Sequence, residues 1–159
     1  MVSVVFVCLG NICRSPTAEG IFLDLVQQNG LEGTVSVDSA GTGGWHIGEL
    51  ADSRSRAEAQ SRGIHLTSRS RQFCSQDFTQ FDLILAMDRS NLRNILRLAQ
   101  TDSDRRRVHL LRNFDPSAPP DSDVPDPYYG GVRGFPDVFD ICERACAGLL
   151  EHVRSRLQD

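Results

Sequence analysis

A cysteine and an arginine stand six positions apart near the start of the chain, in Cys8-Leu-Gly-Asn-Ile-Cys-Arg14. An apolar run precedes the segment, and Ser15-Pro16, a pair that favours the beginning of a helix, follows it. A turn between a strand and a helix can direct several backbone N–H groups at one anion, and a guanidinium can bind two phosphate oxygens. A helix N-terminus and a nearby guanidinium both favour the thiolate form of a cysteine. The spacing therefore predicts a phosphate-binding loop with Cys8 as its nucleophile.

Three residues of this loop have types that suit its support. Gly10 would permit the backbone twist that converging N–H groups require. Asn11 would hold the loop through side-chain hydrogen bonds, or would simply be a left-handed turn residue. Ser15 would cap the following helix and could also donate a hydrogen bond to the Cys8 thiolate.

Simpler interpretations of the same residues stay open at this point. Cys8 could be a buried thiol at the end of a strand, with Arg14 a surface charge. Cys13 could close a disulfide with Cys8 under oxidation, which would protect the nucleophile, or it could be a small core residue.

The elements around the loop alternate between strands and helices. Apolar runs predict strands at 2–7, 34–37, 81–87 and 108–111, and apolar residues at helical spacing predict helices between them and after a proline-rich loop at 116–136. Such alternation implies a four-stranded parallel sheet in a three-layer α/β/α domain, here a single domain over residues 1–159. The phosphate loop would join the first strand to the first helix, at the carboxyl edge of the sheet.

Composition limits the classes of function. The formal net charge of −4 argues against a nucleic-acid partner, and the absence of a long apolar run argues against a membrane partner. The five cysteines are odd in number and the four histidines are scattered, so we expect a cytoplasmic protein, without disulfide framework or metal. We also expect a monomer without a cofactor.

Two separated motifs resemble one known family. Val7-Cys-Leu-Gly-Asn-Ile-Cys-Arg-Ser-Pro16 looks like the phosphate loop of the low-molecular-weight protein tyrosine phosphatases, and Asp126-Pro-Tyr-Tyr129 matches their general-acid loop. Between them, Ser39-Ala-Gly-Thr-Gly-Gly-Trp45 resembles the segment that walls their substrate cleft. The resemblance extends over essentially the whole chain.

The resemblance implies hydrolysis of phosphotyrosine in proteins, and of small aryl phosphates, through a phosphocysteine intermediate. Inorganic phosphate and vanadate would be active-site ligands. Cys8, Arg14 and Asp126 would be catalytic, with Asp126 protonating the leaving phenol. The residues expected to bind phosphate or support the loop are Leu9, Gly10, Asn11, Ile12, Cys13 and Ser15. The cleft walls would include Trp45, Tyr128 and Tyr129.

One position departs from the family pattern. The family often carries a histidine that supports the phosphate-loop asparagine, and Ser68 occupies that position here. Ser68 would support Asn11 through a shorter hydrogen bond or through water, or another group would replace it. Asp115, Asp121 and Asp123 are rivals of Asp126 within the same loop.

Two other classes of function fit parts of the sequence. Thioredoxin-coupled arsenate reductases share this fold and cysteine loop, but they need further cysteines to relay a disulfide, and Cys74 has no close partner in the sequence. A non-catalytic phosphotyrosine-binding module would require loss of the nucleophile or the acid, and both are present.

Overall fold

A parallel sheet of four strands forms the centre of the protein in a computed structural model, which describes residues 1–128 and 133–158. The strands are β1 (Val2–Cys8), β2 (Val35–Gly41), β3 (Leu83–Ala86) and β4 (Val108–Leu110). Their order in the sheet is β2-β1-β3-β4, with every pairing parallel. The chain moves from β1 to one side and then returns to the other side, so the carboxyl end of β1 lies at the topological switch point. The predicted α/β class and the parallel sheet are confirmed.

Helices cover both faces of this sheet. They are α1 (Arg14–Gln28), α2 (Ser53–Ser61), α3 (Asp77–Gln80), α4 (Arg89–Leu96), α5 (Asp102–Arg106) and α6 (Gly134–Leu157). Phe22 of α1 and Leu149 of α6 are buried against one face, and Phe78 of α3 and Ile95 of α4 against the other. The three-layer arrangement thus buries apolar side chains on both sides, as parallel strands require. None of the helices within the described residues has the length and apolarity needed to cross a membrane.

Several predicted boundaries were wrong. β2 continues to Gly41, whereas the sequence predicted an end at residue 37, because Ser39, Ala40 and Gly41 pair with the last three residues of β1. These small and polar residues interrupt the apolar alternation from which the strand was predicted. The prediction also missed the short helices α3 and α5. Thr101 and Asp104 form a capping box at α5, a signal that the sequence does contain.

The beginning of α1 also differs from the prediction. The helix begins at Arg14, with Cys13 at the N-cap position and without a side-chain cap. Ser15 is therefore not the cap, and Pro16 lies inside the first turn, where its missing N–H would have no partner within the helix in any case. The Ser15 hydroxyl is consequently available for contacts inside the phosphate loop.

Candidate active site

The loop after β1 encloses the sulfur of Cys8. Cys8 is buried, and the backbone N–H of Asn11 donates to its Sγ at 3.3 Å. Asn11 has a φ of 57°, so the left-handed turn lies at the asparagine. The expected backbone role of Gly10 was wrong, since its φ is not positive; a Cβ there would lie 3.2 Å from Cδ2 of His46. The glycine therefore permits a close approach of the His46 ring.

Hydrogen bonds between polar side chains hold the phosphate loop in position. The Oγ of Ser15 lies 3.0 Å from Sγ of Cys8, and the amide Nδ2 of Asn11 donates to that Oγ at 2.7 Å and to Oγ of Ser39 at 3.0 Å. The backbone N–H of Arg71 donates to Oδ1 of Asn11 at 3.0 Å. Both ends of the Asn11 amide are thus hydrogen-bonded, and Ser68 is not among the groups that hold it: its hydroxyl donates to Glu19.

Arg14 is a buried cation that lines the same cleft as Cys8. Its side chain is only 3% exposed, so the interpretation of Arg14 as a surface charge was wrong. Nη1 donates to Oδ2 of Asp88 at 2.6 Å and to the carbonyl of Val124 at 3.0 Å, and Nη2 lies 3.6 Å from Oδ2 of Asp126. Burial opposes the charge, but the facing Cys8 and Asp88 outweigh it and raise the pKa of Arg14. The guanidinium therefore stays charged and fixed in direction.

The proline-rich loop that carries Asp126, here called the acid loop, is anchored at the residue that follows β3. The N–H of the buried Val124 donates to the carbonyl of Met87 at 2.7 Å, which places Asp126 beside Arg14. Asp126 is 44% exposed, and its Oδ1 accepts from the N–H of Tyr128 at 3.0 Å. One carboxylate oxygen is thus fixed by the loop while the other faces the guanidinium.

The rival acids of this loop have other partners. Asp115 is buried and accepts from the N–H and hydroxyl of Ser117, Asp121 is hydrogen-bonded to Asn113, and Asp123 accepts from the N–H of Arg89. Of these loop aspartates, Asp126 is the one that lines the cleft above Cys8.

The cleft has a volume of about 180 Å³ and an apolar rim. Trp45 at its mouth is 72% exposed. The sequence did not single out His46, which lines the cleft beside Trp45 and is hydrogen-bonded to Glu49 at 2.6 Å, because an isolated histidine carries no spacing signal. Tyr129, predicted as a wall, lies outside the described residues. The lining residues are Cys8, Leu9, Gly10, Ile12, Cys13, Arg14, Trp45, His46, Asp126 and Tyr128.

Cys13 lies in the same loop as a free, buried thiol. Burial, together with the negative charge of Asp52, raises the pKa of Cys13 to about 12. At neutral pH this thiol is therefore neutral and a weak nucleophile. The disulfide between Cys8 and Cys13 stays a prediction, and its formation would have to overcome this low reactivity.

A buried thiol that accepts from the Asn11 N–H, a fixed guanidinium and a carboxylate lie together at the carboxyl edge of a parallel sheet, and this combination defines the class of cysteine-based phosphatases. The model of the family described as low molecular weight phosphotyrosine protein phosphatase matches residues 3–159. The chain belongs to this family and is a protein tyrosine phosphatase, a hydrolase.

Curated relatives and solved structures are similar to this chain over nearly its whole length. A low molecular weight protein-tyrosine-phosphatase of Streptomyces coelicolor is 49% identical over 98% of this chain and 95% of its own. The crystal structure of a protein tyrosine phosphatase from Entamoeba histolytica with Hepes in the active site has a TM-score of 0.92 and 40% identity, covering 98% of both chains. The Drosophila arginine phosphatase DARP has a TM-score of 0.87 and 33% identity, covering 94% of this chain and 96% of its own.

Asp88 offers a direct test of how Arg14 is held. Asp88→Asn should lower kcat/KM for an aryl phosphate about tenfold, because it weakens a charge-assisted hydrogen bond that fixes the guanidinium. Steady-state kinetics measure this effect. Asp102→Asn, which alters an exposed carboxylate paired with Arg105, is the matched control and should leave kcat/KM unchanged. Equal kinetics of Asp88→Asn and the wild type would show that Arg14 needs no such partner.

Proposed function

We propose that this phosphatase hydrolyses phosphotyrosine in protein substrates, with Cys8 as nucleophile, Arg14 as the phosphate-binding cation and Asp126 as general acid. The observation that supports it is the convergence of these three side chains on one cleft, with the Asn11 N–H and the Ser15 hydroxyl directed at the sulfur. Within the described residues, both hydrogen bonds of Arg14 leave from Nη1. Nη2 lies 3.6 Å from Asp126, beyond hydrogen-bond distance, so Nη2 and Nε can donate to two phosphate oxygens.

The reaction would proceed in two displacements. The Cys8 thiolate attacks phosphorus, the phosphorus–oxygen bond to the phenol breaks, and Asp126 transfers its proton to the departing oxygen. Asp126, now a carboxylate, then takes a proton from water as that water attacks the phosphocysteine. Phosphate leaves with the new oxygen, and Cys8 returns as a thiolate that accepts a hydrogen bond from Ser15.

The walls of the cleft favour an aromatic substrate. Leu9, Ile12, Trp45 and Tyr128 surround the entrance with largely apolar surface, which suits a flat phenyl ring. A phosphoserine side chain is shorter and would not bring its phosphate to Cys8. Phosphoarginine is the other candidate, because the Drosophila relative is an arginine phosphatase. A guanidinium needs several acceptors, however, and among the described lining residues Asp126 provides the only carboxylate.

Three peptides of one sequence, carrying phosphotyrosine, phosphoserine or phosphoarginine, test this specificity. We expect kcat/KM for the phosphotyrosine peptide to exceed that of each of the others by about a hundredfold, because neither competitor fills the apolar slot. Released phosphate is the measurement. Faster hydrolysis of the phosphoarginine peptide would assign the chain to the second specificity.

We also propose that residues 1–159 act as one domain, as a monomer in the cytoplasm, with inorganic phosphate and vanadate as competitive ligands of the loop. The odd number of unevenly spaced cysteines supports a reducing compartment such as the cytoplasm. Gel filtration at several concentrations measures the oligomeric state, and inhibition kinetics measure anion binding.

A further inference from the structure

Glu19 is a buried carboxylate in the second turn of α1, outside the cleft. It is only 6% exposed, and it forms no salt bridge within residues 1–128 and 133–158. Its Oε1 accepts hydrogen bonds from the hydroxyls of Ser39 and Ser68, each at 2.7 Å. Burial raises the pKa of Glu19, although both serines favour its charged form. A carboxylate in this position costs folding free energy, so its presence calls for a function.

A continuous series of hydrogen bonds joins Glu19 to Cys8. Ser39 contacts Glu19 and also accepts from Nδ2 of Asn11 at 3.0 Å. The same Nδ2 donates to Oγ of Ser15 at 2.7 Å, and that Oγ lies 3.0 Å from Sγ of Cys8. The series therefore runs from a carboxylate on α1, through one serine on β2, into the phosphate loop.

The chemistry of these groups determines which one donates in each hydrogen bond of the series. A carboxylate only accepts, so Ser39 donates its proton to Glu19 and keeps its lone pairs for Asn11. The Arg71 N–H can only donate, so Oδ1 of Asn11 faces it and both amide hydrogens face the two serines. Because Ser15 accepts from Asn11, its own proton is left for Cys8 at 3.0 Å or for the carbonyl of Ala40 at 3.4 Å.

We propose that Glu19, as a carboxylate, is a positioning residue for the phosphatase reaction: it orients Ser39 and Asn11 so that the Ser15 hydroxyl donates to the Cys8 sulfur. This inference rests on the proposed role of Cys8 as nucleophile. The hydrogen bond matters most in the second displacement, where Cys8 leaves as a thiolate. Loss of the carboxylate should therefore slow breakdown of the phosphocysteine more than its formation.

Protonation of Glu19 should abolish this orientation of Ser39 and Asn11. The protonated carboxyl carries an O–H donor, which can turn the Ser39 hydroxyl away and release one side of Asn11. The charged groups that act on Glu19 are Asp38 in the middle of β2 and Arg71 in the segment between α2 and α3. His65 lines the small cleft of about 60 Å³ that Glu19 shares with Ser68.

Glu19→Gln tests the charge while keeping the size of the side chain. At neutral pH we expect kcat for an aryl phosphate to fall about tenfold, the loss of one charged hydrogen bond, while KM changes less than twofold. The pre-steady-state burst of phenol should grow, because phosphocysteine accumulates. The ratio of wild-type to variant kcat should approach one as the pH falls through the raised pKa of Glu19.

Thermal unfolding separates positioning from a merely structural role. The pKa of Glu19 is raised in the folded state, so its ionisation costs no stability at pH values below the pKa that Glu19 has in the unfolded chain. The cost develops as the pH rises from there through the folded-state pKa, and above that value it is complete. Glu19→Gln should therefore have an equal or higher Tm at neutral pH despite its lower kcat. Glu32→Gln, at an exposed position, is the matched control for which neither quantity should change.

A kcat of Glu19→Gln within twofold of wild type at every pH would overturn the proposal, and so would a parallel loss of kcat and Tm without a larger burst. If Glu19→Gln does not fold, Ser39→Ala interrupts the same series and should show the same enlarged burst; an unchanged burst there would likewise overturn it. A wild-type enzyme that releases phenol without any phosphocysteine would instead refute the role of Cys8, on which the proposal rests.

Discussion

Cys8→Ser should remove turnover of aryl phosphates and leave phosphate binding intact. A serine hydroxyl does not ionise where a thiolate does, so the nucleophile is lost, whereas the Arg14 guanidinium and the loop N–H groups that we expect to bind the anion are not substituted. We expect kcat to fall by more than about a hundredfold, equivalent to at least ~3 kcal/mol of barrier. Kinetics with an aryl phosphate, phosphate binding by calorimetry and acid-quenched mass spectrometry for phosphocysteine measure the three quantities.

Cys74→Ser is the control for this substitution. Cys74 is an exposed thiol, and its replacement should leave kcat and phosphate binding unchanged. A Cys8→Ser enzyme that keeps more than about a hundredth of wild-type kcat would assign the nucleophile elsewhere. A variant that has lost both turnover and phosphate binding would indicate a collapsed loop, and its thermal unfolding would then identify that collapse.

The parts of the site that the sequence predicts are local in the chain. Cys8 and Arg14 are six positions apart, and the strand before them and the helix after them are visible in the same short stretch. The parallel sheet was also predictable, because alternation of strands and helices admits few topologies. β2 was predicted too short, since pairing with β1, rather than its own apolar pattern, keeps Asp38 to Gly41 extended.

The residues that sequence reasoning missed act across long separations. Asp88 fixes Arg14 from 74 positions away, and Glu19 supports Asn11 only through Ser39, which β2 brings next to α1. Nothing in the residue type of Asp88 or Glu19 distinguishes it from the surface acids of other helices. Helix packing buries Glu19, whereas Asp88 is the N-cap of α4 and stays 19% exposed. In both cases the fold brings an ordinary carboxylate to one particular partner.

Asp126→Asn should slow the enzyme in proportion to how poor the leaving group is. Phosphotyrosine releases a basic phenolate that needs a proton, so the loss of the acid should lower kcat for it roughly 10²–10⁴-fold. An ester of a strongly acidic phenol leaves without that proton and should be slowed far less in the first step. KM should change little, because Arg14 and the loop hold the phosphate. Burst kinetics with a series of aryl phosphates of graded leaving-group acidity measure this dependence.

Asp121→Asn and Asp123→Asn are the controls from the same proline-rich loop. Their carboxylates are bound to Asn113 and Arg89, away from the cleft, so the dependence of rate on the leaving group should match that of the wild type. Asp126 alone of these three faces Arg14 across 3.6 Å, and the substitution there removes a proton donor without removing the cation. Should Asp123→Asn show the steep dependence while Asp126→Asn slows all esters equally, the general acid would be Asp123, and the acid loop would have to rotate Asp123 into the cleft when substrate binds.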